Sequence, residues 1–212
     1  MSGVVRPYRG VSADERRAIR RAQLIEAALD LVGDGGLAGM TMTAVCARAG
    51  LTERYFYESF HDREDLLGAI HDESVQEMDQ AMFAALLAAP ADLLERCRAA
   101  AGAMIGVLTE DPRKARLHAE AVGSAALADR RAHAVGAHAE VLAAQMRELR
   151  GLDRPEQQAP LRLATLVLIG GLAEAILGWL DGTLEMSRDT LIEECARLAV
   201  AVADAVQATM GH

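Results

Sequence analysis

The chain has 212 residues, half of them apolar and a quarter charged, with a formal net charge of −9. That length allows one large domain or two small ones, and with so few aromatic residues the core must be built from Ala, Leu, Val and Met. The acidic balance argues against a protein that coats nucleic acid indiscriminately. Cys46, Cys97 and Cys195 have no metal-type spacing and no even count, and suit a reducing cytoplasm better than a disulfide framework.

Residues 1–12 carry Gly and Pro punctuation without an apolar period and read as an arm. Arg6 and Arg9 are placed to reach phosphates or a minor groove, with a solvated tail as the equal alternative. A first helix is expected from Ser12 or Ala13 to about Gly33, with Leu24, Ala28 and Leu31 on one face. Arg16, Arg17, Arg20 and Arg21 crowd the end where the helix dipole is unfavourable to cations, so DNA phosphates are expected to supply the missing negative charge. Gly33, Gly35, Gly36 and Gly39 are expected to break this helix.

The stretch at 41–60 carries the most information. Thr41 is placed to cap a short helix whose apolar positions are Met42, Val45 and Ala49, and Gly50 can end it in a left-handed conformation. Leu51 plugs the corner, and Thr52 is expected to cap a second helix with Phe56 and Phe60 on its inner face. This pattern is a helix-turn-helix, whose second helix can enter a major groove. With the phenylalanines inward, Arg54, Tyr55, Glu58 and Ser59 are expected to face out, with Tyr57 at the flank. Arg54 suits bidentate bonding to guanine, and Tyr57 carries a hydroxyl at phosphate height. Asp62 then opens a long helix, with Arg63 in its first turn as an expected phosphate clamp.

The same residues resemble the DNA-binding domain of the tetracycline-repressor (TetR) family of bacterial regulators. That pattern has a capping Thr, a helix closing on Ala-Gly-Val/Leu-Ser/Thr, then an aliphatic or aromatic residue, Tyr, two variable positions and Phe. A basic residue follows at the start of the next helix. Thr41, Ala49-Gly50-Leu51-Thr52, Phe56-Tyr57, Phe60 and Arg63 stand in register, and Leu24, Ile25, Ala27, Ala28, Leu29, Leu31 and Gly36 match the family's first helix. Cys46 departs from the usual Ala and is small enough to pack. The resemblance implies an all-α, nine-helix fold with a head at 1–62 and a ligand-binding and dimerisation body at 63–212. It also implies contact with double-stranded operator DNA through Thr41, Thr43, Thr52, Arg54, Tyr55, Tyr57, Ser59 and Arg63. Charge agrees in sign: residues 1–63 hold nine Arg against eight acids, and the remainder carries −10.

In the body, a helix is expected over 63–89, a second after Asp92, a short one opening at Asp111-Pro112, and a third through Val135, Leu142 and Met146. Residues 151–160 read as a polar linker. The run at 161–180 is apolar nearly all round but contains Arg162 and Glu174, so a covered helix is expected in preference to a membrane span. Gly182 follows as its C-cap, and Ser187 caps a last helix. The last two helices offer more apolar face than one small domain can hide, so a four-helix homodimer interface is expected through Leu166, Ile169, Leu177, Ile192, Val202 and Val206.

No secretory signal is expected, since no apolar segment follows the N-terminal arginines. The six histidines show no metal spacing and are read as satisfied or exposed, without a cofactor, and no phosphate loop or nucleophile elbow supports an enzyme. Met78, Met82, Met104 and Met146 lie on apolar faces of body helices, with Phe83, Leu108 and Trp179 nearby in the pattern. Core filling is the simpler role for each, while the resemblance implies a cavity for a small hydrophobic effector. Two functions stand: a cytoplasmic, ligand-responsive DNA-binding regulator, most often a repressor in that family, or an all-α dimeric binding module with a degenerate DNA head.

Overall fold

The structure is a computed structural model and describes residues 12–208; the expected arm with Arg6 and Arg9 lies outside them. Among the described residues all regular elements are helical, in the order α1 (Ala13–Gly39), α2 (Met42–Ala49), α3 (Glu53–Tyr57), α4 (Arg63–Ala88), α5 (Leu93–Glu110), α6 (Pro112–Ala121), a 3-10 turn (Ala125–Leu127), α7 (Ala128–Arg150), α8 (Pro155–Leu180) and α9 (Arg188–Ala208). The nine α-helices match the expected fold class.

Two compact units divide the chain, and the division differs from a cut at residue 62. The first runs through Glu73 and takes in Pro112–Leu127; the second comprises Ser74–Asp111 and the chain from Ala128 onward. The reason is apolar. Leu66, Leu67 and Ile70 of α4, Leu117 and Ala121 of α6, and Leu127 are all buried in one cluster with Leu24, Ala28, Val32, Val45, Phe56 and Phe60. Ion pairs fix α6 further, as Arg113 bonds Glu26 at 2.7 Å and also Asp30.

Caps set the boundaries within this unit. Ser12 accepts from Glu15 N at 3.1 Å while the Glu15 carboxylate accepts from Ser12 N at 2.6 Å, a reciprocal box that places acid against the N-terminal dipole of α1. That helix does not stop at Gly33. It continues to Gly39 across a single break at Gly36, whose φ of 71° is left-handed. A Cβ there would lie 2.3 Å from Glu120 Oε1, and Glu120 accepts from Leu37 N at 2.7 Å, so glycine serves the turn and the close approach together. At α4, Asp65 N donates to Asp62 Oδ1 at 2.8 Å and His61 N to Asp65 Oδ2 at 2.9 Å.

Burial alone would raise the Glu120 carboxyl, but the bonds from Leu37 N and Arg116 outweigh it and hold it below its ordinary 4.5. A lowered folded pKa contributes stability that is present above the unfolded value and is lost as pH falls through the folded one. The stability gap between parent and Glu120→Gln is therefore expected to be constant near neutrality and to close below about pH 4.5, as urea titrations across pH would show.

The second unit is built on two buried clusters. One joins Leu93, Leu142, Met146, Leu161, Ala199, Ala203 and Val206; the other joins Ile105, Leu191, Ile192 and Cys195, with Leu172, Ile176 and Trp179 packed against it. The expected linker at 151–160 is short. Leu152 is fully buried in the first of these clusters, and α8 already starts at Pro155, with Arg154 N donating to Gln157 Oε1 at 3.1 Å. Pro160, the sixth residue of α8, lies past the free first turn and leaves the Glu156 carbonyl without its i→i−4 helical partner. Expected caps at Gly182 (φ 82°) and Ser187, whose Oγ accepts from Thr190 N at 3.1 Å, are present. Within the protomer α8 is not covered on both sides. Leu163, Leu166 and Val167 are exposed, and little of its most apolar stretch, with a mean hydropathy of 2.0, is buried. By length and composition α8 is long enough to cross a membrane; it also carries Glu174, paired with Arg131 at 2.8 Å, and Arg162, paired with Glu140 at 3.7 Å.

Candidate nucleic-acid interface

The turn between α2 and α3 is built by local chemistry. Thr41 Oγ1 accepts from Ala44 N at 3.2 Å, and Gly50 closes α2 at φ 65° while Leu51 N bonds Cys46 O at 3.0 Å. Thr52 begins α3 through its carbonyl, accepting from Tyr55 N at 2.9 Å, but its side chain makes no cap bond. Phe56 and Phe60 are both buried, their rings 5.8 Å apart, and they orient the short α3 from beneath. Cys46 sits in the same core, where burial pushes its thiol up and leaves it protonated and inert.

The outer face then follows. Arg54 is 85% exposed and lies 3.5 Å from Glu58. Tyr57 is 58% exposed, its ring edge-on to Phe56 at 5.7 Å. Thr41, Thr43 and Thr52 are also exposed on the same motif. These five positions offer hydroxyls, a guanidinium and a phenol to solvent from one helix-turn-helix.

Three expected positions stand differently. Tyr55 is half-buried under Arg20, whose guanidinium carbon sits 4.4 Å from the ring centre. Ser59 is half-buried with its Oγ turned into the unit, because it lies beyond the end of α3 where the chain bends toward Phe60. Arg63, read as a phosphate clamp, spends its donors on the backbone: Nε bonds Met40 O at 2.7 Å and Nη2 bonds Leu37 O at 2.5 Å. It thereby ties the first turn of α4 to carbonyls at the C-terminal end of α1. Nor do Arg20 and Arg21 of α1 wait on DNA for counter-charge, since Arg20 bonds Glu58 at 2.9 Å and Arg21 bonds Glu73 at 2.7 Å. Sequence reading missed Arg20 and Arg21 as partners of the motif because no local spacing signals a contact made from 38 and 52 residues away.

The positions named for an effector do not form one cluster. Met78 and Met82 are buried on α4, whereas Phe83 of the same helix is 49% exposed. Met146 belongs to the cluster around Leu142, and Trp179 to that around Ile105, its Nε1 donating to Met186 O at 2.9 Å. Leu108 is buried and Met104 half-buried on α5. On the named interface, Leu166 is exposed and Leu177 half-buried. Ile169 and Val202 pack partly against the protomer's own core, and Ile192 and Val206 are within it. Among the described residues, no three His, Cys, Asp or Glu side chains gather as a metal site; His138 instead bonds Asp79 at 2.6 Å.

A helix-turn-helix with a buried aromatic pair thus stands ahead of further helices in an all-α fold. Residues 24–70 match the family of bacterial regulatory proteins, tetR family. Over 87 residues it is 37% identical to the HTH-type transcriptional regulator BetI of Paraburkholderia phytofirmans and 34% identical to that of Burkholderia cenocepacia. Those matches take 41% of this chain and 45% of each relative, so the chain spans about half the length of the curated relatives it matches. Similar solved structures include a tetR-family transcriptional regulator from Streptomyces coelicolor (TM-score 0.67, 22% identity, 91% of this chain and 83% of that one). Another is the transcriptional regulator FadR from Bacillus subtilis in complex with stearoyl-CoA (TM-score 0.65, 16% identity, 87% and 96%). At these identities the likeness establishes the fold.

Proposed function

We propose that the chain is a ligand-responsive transcriptional regulator, a repressor, that binds a palindromic double-stranded operator as a cytoplasmic homodimer and is released by a small, mostly hydrophobic effector. The observation that carries this reading is the outer face of α3, where Arg54 and Tyr57 stand exposed above a buried Phe56–Phe60 pair. This exposed tyrosine–arginine pair leaves a phenol and a guanidinium at the surface. It has the chemistry of phosphate and guanine contact. The relatives named above are transcriptional regulators, which agrees with a non-enzymatic role.

The effector reading rests on α4. Its first turns lie in the first unit, with Arg63 bonded to the α1 carbonyls, and its later turns carry Met78 and Met82 in the second. A ligand that displaced those methionines would act on a stiff rod ending at the head, and half-site spacing tolerates little change. Adaptable methionines favour an apolar effector such as an acyl chain. A protein of the same fold holds stearoyl-CoA. By linkage, operator and effector weaken each other by the same factor.

Gel shift and anisotropy on DNA upstream of the chain's own gene test the DNA reading. Arg54→Ala is expected to relax base preference at a cost of about 1–3 kcal/mol. Tyr57→Ala is expected to weaken all sequences alike. A parent without sequence preference, or variants that bind every duplex as the parent does, would overturn the assignment.

A further inference from the structure

Arg20 and Arg21 are consecutive residues of α1, and each lies over an aromatic ring of the helix-turn-helix while pairing with a carboxylate. Arg21 sits 5.2 Å from the Phe60 ring centre and bonds Glu73. Arg20 sits 4.4 Å from the Tyr55 ring centre and donates to Glu58 Oε2 at 2.9 Å. The second Glu58 oxygen lies 3.5 Å from Arg54 Nε. One carboxylate is thus shared between an arginine with a 20% exposed side chain behind it and an arginine 85% exposed in front.

The short α3 needs such a hold. It has five residues, well under two turns, and no side-chain cap from Thr52. Helices of that length do not persist on their own bonds. Phe56 and Phe60 fix its inner face, but a rotation or slide that keeps both rings in the core would still re-aim Arg54. Tyr55 and Glu58, three residues apart on the flank of α3, are where α1 takes hold of the other side.

We infer that Arg20 is a positioning residue for sequence recognition: through Tyr55 and Glu58 it sets the orientation of α3 and holds Arg54 extended for its base. The inference rests on the DNA reading proposed above. Without Arg20, Glu58 becomes an uncompensated carboxylate that draws Arg54 onto itself and repels phosphate. Discrimination then falls further than affinity. A plain phosphate contact behaves differently, since losing one weakens all duplexes equally and lowers the salt slope by about one phosphate.

The test uses the full chain and the duplex that the parent selects from a randomised pool. Preference for that duplex over random DNA is measured across a salt series for parent, Arg20→Ala, Arg20→Lys, Glu58→Gln and the double variant Arg20→Ala/Glu58→Gln. Arg20→Ala is expected to lose about tenfold in preference with little change in salt slope. Arg20→Lys should follow it, because an ammonium cannot stack flat and bond as a guanidinium does. Glu58→Gln should restore part of the loss on the Arg20→Ala background, a non-additive pair. Amide exchange gives a readout without DNA: Phe56 and Phe60 should exchange about tenfold faster in Arg20→Ala while Val45 of α2 stays as in the parent. If Val45 also accelerates, the isosteric Glu58→Gln becomes the deciding variant for the same two amides. Unchanged exchange at Phe56 and Phe60, or an equal loss on all duplexes, overturns the inference. A parent that selects no duplex overturns the DNA reading and the specificity role with it, and the clamp itself then stands or falls on the exchange.

Discussion

Phe56→Ala is expected to unfold the first unit while leaving the second folded. Phe56 is fully buried and packs edge-on to Tyr57 and against Phe60, in one cluster with Leu24, Val45 and Leu66. Removing a buried phenyl ring typically costs about 3–5 kcal/mol in lost transfer energy and residual cavity. A domain's whole stability is about 5–15 kcal/mol, so a small unit loses most of its margin. The body clusters around Met146 and Ile105 share no residue with this core. Circular-dichroism melts should therefore show an early transition in the variant, and limited proteolysis should cut before Glu73 first. Phe56→Leu keeps most of the volume and should cost about 1.5 kcal/mol or less. Tyr57→Ala is the useful contrast: one residue along, it is exposed, and its melt should match the parent's. A Phe56→Ala chain that melts as the parent does would mean the aromatic pair does not organise the head.

What the sequence made legible was local. The Thr41 cap, the left-handed Gly50 and the inward Phe56–Phe60 pair all depend on partners within four residues, so spacing alone reveals them. Features decided by distant partners were hidden. Arg63 looked like a phosphate clamp because it opens a helix near the motif. Nothing nearby shows that the kinked end of α1 brings the Leu37 and Met40 carbonyls to its guanidinium. Arg20 looked like a DNA-facing charge because it crowds the end of α1 whose dipole disfavours cations, until Tyr55 and Glu58 came under it. Residues 112–127 read as part of the body because they lie between body helices in the chain. Leu117, Leu127 and the Arg113 ion pairs place them instead with α1. Periodicity found the apolar positions of α8 and α9 but could not say which would be used within the protomer. Ile192 and Val206, named for the interface, turned out to be core.

That last distinction moves the dimer test to other residues. On α8 the exposed apolar positions are Leu163, Leu166 and Val167, with the exposed Gly171 one turn on; α9 exposes Leu198 and Ala201. Monomeric proteins rarely leave uncovered an apolar stripe such as Leu163, Leu166 and Val167, spaced as neighbours on one helix face. Covering one Leu-sized side chain contributes roughly 1.5–3 kcal/mol, and a self-complementary pair covers each position twice. Val167 is 66% exposed, so replacing it by Arg should leave the protomer intact and remove only what the second copy provides. A charge at Ile169 or Val202 is a poorer probe, because both pack partly on the protomer's own core and the variant would lose folding and association together. The parent is expected to sediment as a dimer at micromolar concentration, with a Tm that falls on dilution because assembly shifts stability by mass action. Val167→Arg is expected to sediment as a monomer whose Tm no longer depends on concentration. It should also bind a palindromic duplex with far lower affinity, since each copy then engages a single half-site. A parent that sediments as a monomer at that concentration would leave the apolar face of α8 without its second copy, and the two-fold operator reading would fall with it.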